Sequence, residues 1–203
     1  MSKSYEERRR YKINGWEYLL DDDDHTAWIQ DGIIGKKRIY TLPTTLTVDG
    51  VPYVIQSVEL GAFYQENYIE KLIVPDCYIY IDSEAFHDCN RLKSVVIGKG
   101  PEQYCHWSFT GCPLEEVVID PANPYIKLSD DGKMVLSKDG KHLYYYLYDK
   151  DEELVVPDTV ESIGSCAISC LYNLRRLVLP KNLKTIHPDG IMECTDLSII
   201  IRQ

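Results

Sequence analysis

No stretch of this sequence is apolar for long enough to cross a bilayer as a helix, which takes roughly 18 consecutive apolar residues. The first 20 residues also lack the order of basic start, apolar core and small-residue cleavage site that marks a secretory signal. These two absences argue against membrane insertion. If Met1 is the native first residue, they predict a cytoplasmic protein.

Positive charge is scarce as well. The chain has 22 lysines and arginines against 32 aspartates and glutamates, a net charge of −10 with histidine neutral. Its only basic run, Arg8 to Arg10, follows Glu6 and Glu7 and is typical of a solvated terminal segment. A polyanion is repelled on average by such a chain, so no nucleic-acid partner is predicted.

Motifs for catalysis are missing too. The sequence contains no glycine-rich phosphate loop, no Gly-x-Ser-x-Gly turn and no His-Glu-x-x-His helix. The run DDDDHT from Asp21 to Thr26 offers oxygen ligands, but it lacks the glycine and distal glutamate of a calcium loop and predicts a solvated hairpin turn. We therefore expect no enzyme, no catalytic residue, no cofactor and no metal site.

What the sequence does contain is a repeat of 23 residues. Phe63, Phe86 and Phe109 are 23 apart, and Ile168 and Ile191 continue the series with the same spacing after a longer interval. We call these five residues the markers. A small residue precedes each marker, and an apolar residue stands five positions before it: Val58, Ile81, Tyr104, Ile163 and Ile186.

Each marker is followed by an alternating apolar string: EKLIVP, KSVVIG, EEVVID, RRLVLP and SIIIRQ. Period-2 strings of this length predict short strands, and the turn at the marker drives a large side chain inward. One repeat cannot cover its own apolar face, so stacked repeats must share a continuous core. The sequence therefore predicts a solenoid.

Seven cysteines, an odd number, leave at least one unpaired within the chain. Cys89, Cys112 and Cys194 stand three residues after their markers, where Glu66 and Leu171 stand in the other copies. A position that also accepts leucine predicts burial, since free cysteine behaves as a small hydrophobe. Cys166 and Cys170 lack a second cysteine or histidine pair at the spacing of a zinc site.

The pattern I-x-x-x-A-F-x-x-C-x-x-L-x-x-V-x-I, which Ile81 to Ile97 carry, resembles the BspA-like, Treponema pallidum-type leucine-rich repeats. The resemblance covers roughly residues 41–201 and extends to the segment from Asn123 to Leu147. It implies a bacterial leucine-rich-repeat solenoid that binds proteins or host surfaces without catalysis. It also implies export or a cell-surface location, and the chain is a short array for this family.

The expected organisation has two parts. Residues 1–54 form a charged start and an N-terminal β-hairpin cap, with strand-like runs separated by turns such as Asp31–Gly32 and Asp49–Gly50. Residues 55–203 form the leucine-rich-repeat solenoid (short strands on one face, irregular or short-helical turns on the other), interrupted by a β-hairpin insertion at about 120–153. The final strand, SIII, ends in a candidate open edge that is either tolerated or covered by another chain.

The strands carry the candidate binding site. In LKSVVI, Leu92, Val95 and Ile97 are predicted to point into the core, which leaves Ser94 and Val96 outward. Aligning the strands gives two outward rows, an apolar one and a polar one: Ile73, Val96, Val118 and Val178, and Lys71, Ser94, Glu116 and Arg176.

An exposed apolar row across successive strands often marks a contact surface. We expect a protein-protein interaction module that binds through this face. A homo-oligomer formed by the same face or by the C-terminal edge is the alternative, and the insertion folding over the row or a preference of β-branched residues for strands also fits. On the final strand either Ile199 and Ile201 or Ile200 faces outward.

Tyrosine supplies a second surface hypothesis, since the chain has 16 of them. In LYYYLY, alternation predicts Tyr144, Tyr146 and Tyr148 on one face and Tyr145 on the other. With Trp107, such rings are candidate platforms for carbohydrate or host-surface adhesion. Packing of the hairpin against the solenoid is the favoured explanation for most of them.

Overall fold

The computed structural model describes residues 8–100, 103–104 (backbone only), 108–148 and 150–202. Within these ranges the chain consists of short β-strands and turns, without a helix. It divides into two compact units, Met1–Asn123 and Pro124–Gln203. The solenoid of short strands is confirmed, whereas the turns opposite them are not helical. The boundary at residue 54 stays a prediction.

The first unit has two sheets. Its strands are β1 Arg9–Ile13, β2 Trp16–Asp21, β3 Thr26–Asp31, β4 Ile39–Thr41, β5 Thr45–Val48, β6 Val51–Val58, β7 Lys71–Val74, β8 Tyr80–Ile81, β9 Ser94–Ile97, β10 Gln103–Tyr104 and β11 Glu116–Ile119. One sheet has the order β1-β2-β3-β6-β8-β10, with β5 also paired to β6, and begins as an antiparallel meander. From β3 to β10 its pairs are parallel, as stacked coils require.

The second sheet of this unit has the order β4-β7-β9-β11, and all its pairs are parallel. Leu72, Val95 and Val117 are paired in register and are at most 7% exposed. Because side chains alternate along a strand, the neighbours of this row point outward. The period-2 strings therefore form strands with one buried face, as predicted.

The markers of the first unit form a ladder of rings in the core. The centroids of Phe63 and Phe86 are 5.0 Å apart and those of Phe86 and Phe109 are 5.5 Å apart, with nearly parallel planes. Trp16 from the meander lies edge-on against Phe63 at 5.5 Å, so the N-terminal cap closes the end of this ladder. The shared core of stacked coils is confirmed.

Backbone and thiol groups join the coils at the markers. The Phe63 amide donates to the Ala85 carbonyl at 2.8 Å, and the Phe86 amide donates to the Ser108 carbonyl at the same distance. Cys89 Sγ donates to the Phe63 carbonyl, 26 residues earlier, at 3.3 Å. Cys112 and Cys194 repeat this contact on the markers of their preceding coils, at 3.0 and 3.8 Å. The cysteine position is therefore a packing position that also satisfies a carbonyl.

The second unit repeats this plan on a smaller scale. Its strands are β12 Ile126–Leu128, β13 Met134–Ser137, β14 His142–Tyr146, β15 Glu153–Val155, β16 Ser162–Ile163, β17 Ile168–Ser169, β18 Arg176–Leu179, β19 Thr185–Ile186, β20 Ile191–Met192 and β21 Ser198–Ile201. An antiparallel meander, β12-β13-β14, leads into the parallel ladder β14-β16-β19. The predicted hairpin insertion is confirmed, and it caps the coils that follow it.

Two identical turns shape this hairpin. In Ser129–Lys133 and Ser137–Lys141 the serine hydroxyl bonds the aspartate two residues later, at 2.5 and 2.6 Å. The same hydroxyl accepts from the amide five residues on, at 2.9 Å in both turns. Serine and aspartate thus replace the backbone partners that a tight turn loses.

Candidate interaction face

The outward side chains of β4, β7, β9 and β11 form one surface, which we call the strand face of the first unit. Its first row follows the pairing at the strand starts: Ile39, Lys71, Ser94 and Glu116. Its second row lies two residues further along each strand: Thr41, Ile73, Val96 and Val118. Lys71, Ile73, Ser94, Val96, Glu116 and Val118 therefore lie together, as aligned from the sequence.

The second row is the apolar centre of this face, and we call it the apolar row. Thr41 and Val118 at its ends are exposed, with Val118 at 40%, while Ile73 and Val96 between them are partly exposed. All four side chains are β-branched, so they are stiff and lose little freedom when a partner covers them. Ile39 in the first row adds another exposed apolar side chain, at 64%.

A ladder of alternating charge borders the face where the four strands begin: Arg38, Glu70, Lys93 and Glu115. Arg38 Nη2 donates to Glu70 Oε2 at 2.6 Å, and Lys93 Nζ donates to Glu115 Oε1 at 2.8 Å. The bond from Arg38 lowers the pKa of Glu70, and the bond to Glu115 raises the pKa of Lys93. Arg38, Lys93 and Glu115 are exposed to solvent and Glu70 is partly exposed, so the pairs contribute little to stability but set the sign of charge along the rim.

The second unit has a matching strand face on β15, β18 and β21. Arg176 Nη1 bonds Glu153 Oε2 at 3.2 Å at the start of these strands. Val178, predicted to be exposed, is only 6% exposed, so that expectation is wrong at this position. It is paired with Val155 on one side and Ile200 on the other, and these flanking side chains leave little of it to solvent.

The register of the final strand resolves an alternative that the sequence left open. Ile200 continues the outward row from Val178, while Ile199 and Ile201 are paired with the buried Leu177 and Leu179. All three isoleucines are nonetheless 40–68% exposed. Ile201 also borders a groove of about 230 Å³ with Leu179, Pro180, Lys181, Leu183, Lys184, Thr185 and Ile186.

The tyrosines of the hairpin do not alternate as predicted. Tyr146 is 2% exposed and lies with Leu143 in the core, whereas Tyr144 and Tyr145 are partly exposed. The cause is a shift of register in the pairing of β13 with β14, which brings residues three apart onto the same face. Tyr148 packs against this core as well. The other aromatic residue of this hypothesis, Trp107, lies outside the described residues.

The acidic run after β2 has structural roles. Asp21 is 1% exposed, and its carboxylate accepts from the amides of Asp23 and Asp24 at 3.0 and 3.3 Å. Asp22 pairs with Arg9 at 2.8 Å and accepts from the Tyr53 hydroxyl at 2.5 Å. The turn predicted at DDDDHT is present, and part of it is buried rather than solvated.

The described histidines also make packing contacts. The rings of His25 and His87 lie against tyrosine rings, at 5.6 and 5.4 Å. His142 Nδ1 lies 2.7 Å from a serine hydroxyl of the next coil, and burial lowers the pKa of this histidine. His106 and Cys105 lie outside the described residues. Among the residues that the structure describes, no three His, Cys, Asp or Glu side chains converge in a way that suits a metal ion.

The alignment missed residues that the structure places on these faces. Ile39 and Thr41 belong to β4, and Arg38 directly precedes it; β4 lies 32 residues before its partner β7 rather than one repeat, so no period indicated them. Val155 lies one full period of 23 residues before Val178. That spacing was a usable signal, hidden by its position at the end of the insertion. In the described part of the chain, no helix is long and apolar enough to span a membrane.

Comparisons with known proteins agree with this geometry. The family model of the BspA type leucine rich repeat region matches residues 49–129 and 140–203, in 6 copies. No curated protein matches the chain. A leucine-rich repeat protein from Bacteroides ovatus superposes with a TM-score of 0.53 at 16% identity, over 95% of this chain and 53% of its own. That likeness supports the fold alone.

Two further solved structures resemble the chain less closely by superposition. The leucine rich repeat protein of T. pallidum is 20% identical, covers 94% of this chain and 71% of its own, and gives a TM-score of 0.48. A leucine rich cell surface protein from Faecalibacterium prausnitzii is 15% identical, with 96% and 76% covered and a TM-score of 0.41.

Proposed function

Because the chain belongs to the BspA-type leucine-rich repeat family, we propose that it is a non-catalytic module that recognises a protein partner through the strand face of its first unit. Such repeat proteins serve in general as interaction or surface proteins. The single observation that supports this surface is the apolar row, β-branched and uncovered across four adjacent strands. Lys71, Ser94 and Glu116 beside it supply polar groups that select among apolar partners.

The chemistry of the face suits binding rather than catalysis. Ser94 Oγ donates to Glu116 Oε2 at 2.7 Å, and the charged groups at the rim pair with one another. A catalytic base or nucleophile needs a group whose pKa is tuned toward the working pH, in a concave site that excludes water. In this proposal the four-stranded face serves recognition.

Matched aspartate variants test the proposal. Val118 and Val54 are strand valines of almost equal exposure, 40% and 42%, but Val54 belongs to β6, outside the strand face. Wild type, Val118→Asp and Val54→Asp serve as bait for extracts of the source cells, and a captured protein is purified and titrated against all three. We expect Val118→Asp to weaken its binding by tenfold or more, about 1.4 kcal/mol, and Val54→Asp to bind as wild type.

Equal binding of all three proteins, with unchanged circular dichroism, contradicts the choice of this face. The adhesion hypothesis has less support, because the buried Tyr146 removes one ring from the proposed platform. A glycan array probed with the full chain tests it directly. The location of the protein stays a prediction.

A further inference from the structure

The charge ladder at the rim of the strand face has the opposite sign at every position when it is read in the reverse direction. In stacking order Arg38, Glu70, Lys93 and Glu115 alternate plus, minus, plus, minus. Read in the opposite direction, the order becomes minus, plus, minus, plus. A second copy that lies on this face with its stacking order reversed therefore meets the opposite sign at all four positions.

One rotation brings the two faces together in this way. A two-fold axis parallel to the strands, between β7 and β9, reverses the stacking order and keeps each row against the same row of the other copy. Arg38 then meets the partner's Glu115, and Glu70 meets the partner's Lys93. In the first row Lys71 meets the partner's Ser94 and Ile39 meets the partner's Glu116, so no like charges face each other.

The same rotation places the apolar row of one copy against the apolar row of the other. Ile73 meets the partner's Val96, so apolar side chains cover each other at the centre, while Thr41 meets the partner's Val118 at the two ends of the row. A two-fold axis along the stack would instead set the charge ladder against the apolar row, which leaves charges desolvated without new partners. The pattern therefore favours one of the two face-to-face arrangements.

We propose that the occupant of this strand face is a second copy of the chain, bound as a two-fold dimer in which the charge ladders of the two copies pair in reverse order. This inference rests on the proposed function and names its partner. The face is small: four strands about 4.8 Å apart and about four residues of 3.3 Å long present roughly 250 Å², against about 800 Å² per partner in a standard interface. An interface of this size makes the dimer weak and reversible.

Sedimentation velocity of the full chain, from about 10 to about 500 µM, tests this inference. We expect the weight-average sedimentation coefficient to rise with concentration, and the rise to shrink at high salt because exposed charges are screened. Arg38→Glu and Glu115→Arg each place like charges together at two symmetric points of the dimer. Each is expected to raise the dissociation constant about tenfold.

The double variant Arg38→Glu, Glu115→Arg is the decisive comparison. Within one copy both new repulsions remain: the glutamate at position 38 faces Glu70, and the arginine at position 115 faces Lys93. Between copies it restores opposite charges at the same points. We therefore expect the double variant to dimerise like the wild type, whereas damage to the fold would leave it no better than either single variant.

Three results overturn the inference: a wild-type monomer at every concentration, a double variant as weak as the singles, or a Val118→Asp variant that dimerises as well as Val54→Asp. None of these contradicts the broader proposal if a different purified protein binds wild type and Val54→Asp but not Val118→Asp. If Val118→Asp changes neither self-association nor capture, both proposals fail.

Discussion

The ladder of marker rings predicts how much each ring contributes to folding. Phe86 is 0% exposed and stacks on Phe63 at 5.0 Å and on Phe109 at 5.5 Å. Phe86→Ala removes a fully buried ring and leaves a cavity that neighbouring coils cannot fill, a loss of about 4 kcal/mol. That figure includes two ring contacts of about 0.5–1.5 kcal/mol each beyond area burial.

The expected order of costs follows from the position in the ladder. Phe109 is 8% exposed, so Phe109→Ala is expected to cost less, about 3 kcal/mol. Tyr64 directly follows Phe63 but is 50% exposed, and Tyr64→Ala serves as the surface control with a cost below about 1 kcal/mol. Urea unfolding followed by tryptophan fluorescence measures these costs, since Trp16 lies against Phe63 and reports on this core.

A double-mutant cycle separates stacking from simple burial. Phe63→Leu and Phe86→Leu keep apolar volume but remove the ring contact, so their free energies should couple by about 1 kcal/mol. A coupling near zero, or a cost of Phe86→Ala below about 1 kcal/mol, would refute the idea that stacked markers hold the coils together.

Three other predictions concern the backbone, pH and thiols. Gly111 has φ of 76°, and a Cβ there would lie 2.2 Å from Asp88 Oδ1, so Gly111→Ala should lower the free energy of urea unfolding by about 2 kcal/mol. Gly50 has φ of 82° with open space around it, so Gly50→Ala should cost about half as much. Burial lowers the pKa of His142 below its usual 6.5, so its neutral form stabilises the fold above that pH and the stabilisation is lost as the pH falls below it. The unfolding free energy measured between about pH 7.5 and 5.5 should therefore fall less in His142→Gln than in wild type. Burial, with a nearby glutamate, raises the pKa of Cys170 to about 11. Iodoacetamide at about pH 8 should therefore alkylate Cys170 about a hundredfold more slowly than a free cysteine. An equal rate of alkylation, measured by peptide mapping, contradicts this prediction.

Some features of the core followed directly from the spacing of residues. The 23-residue period placed Phe63, Phe86 and Phe109 in one ladder, because a solenoid stacks equivalent positions of successive coils. The same period placed Cys89 and Cys112 inside, where their thiols bond the preceding coil. Neither result needed knowledge of loop conformation.

Exposure was harder to predict than position. Val118 and Val178 occupy equivalent places in their strands, yet one is 40% exposed and the other 6%. Val178 has paired neighbours on both sides, Val155 and Ile200, whereas Val118 lies on β11 at the edge of its sheet. Tyr146 turned inward for a related reason, a shift of register between two paired strands that alternation along one strand does not indicate.

By itself, the sequence determined the repeat, the core side of β7, β9 and β11 and the buried markers Phe63, Phe86 and Phe109, because these depend on periods of 2 and 23 residues along one chain. Only the tertiary structure decided that β4 extends these rows and which outward side chains stay exposed. Ile39 joins the strand face through the pairing of β4 with β7, and Arg38 directly precedes it; the two strands are 32 residues apart rather than one period of 23. Loops of different length connect these strands, and strand pairing sets which residues become neighbours. The alternating order of charges therefore exists in the folded sheet and not in any local stretch of sequence.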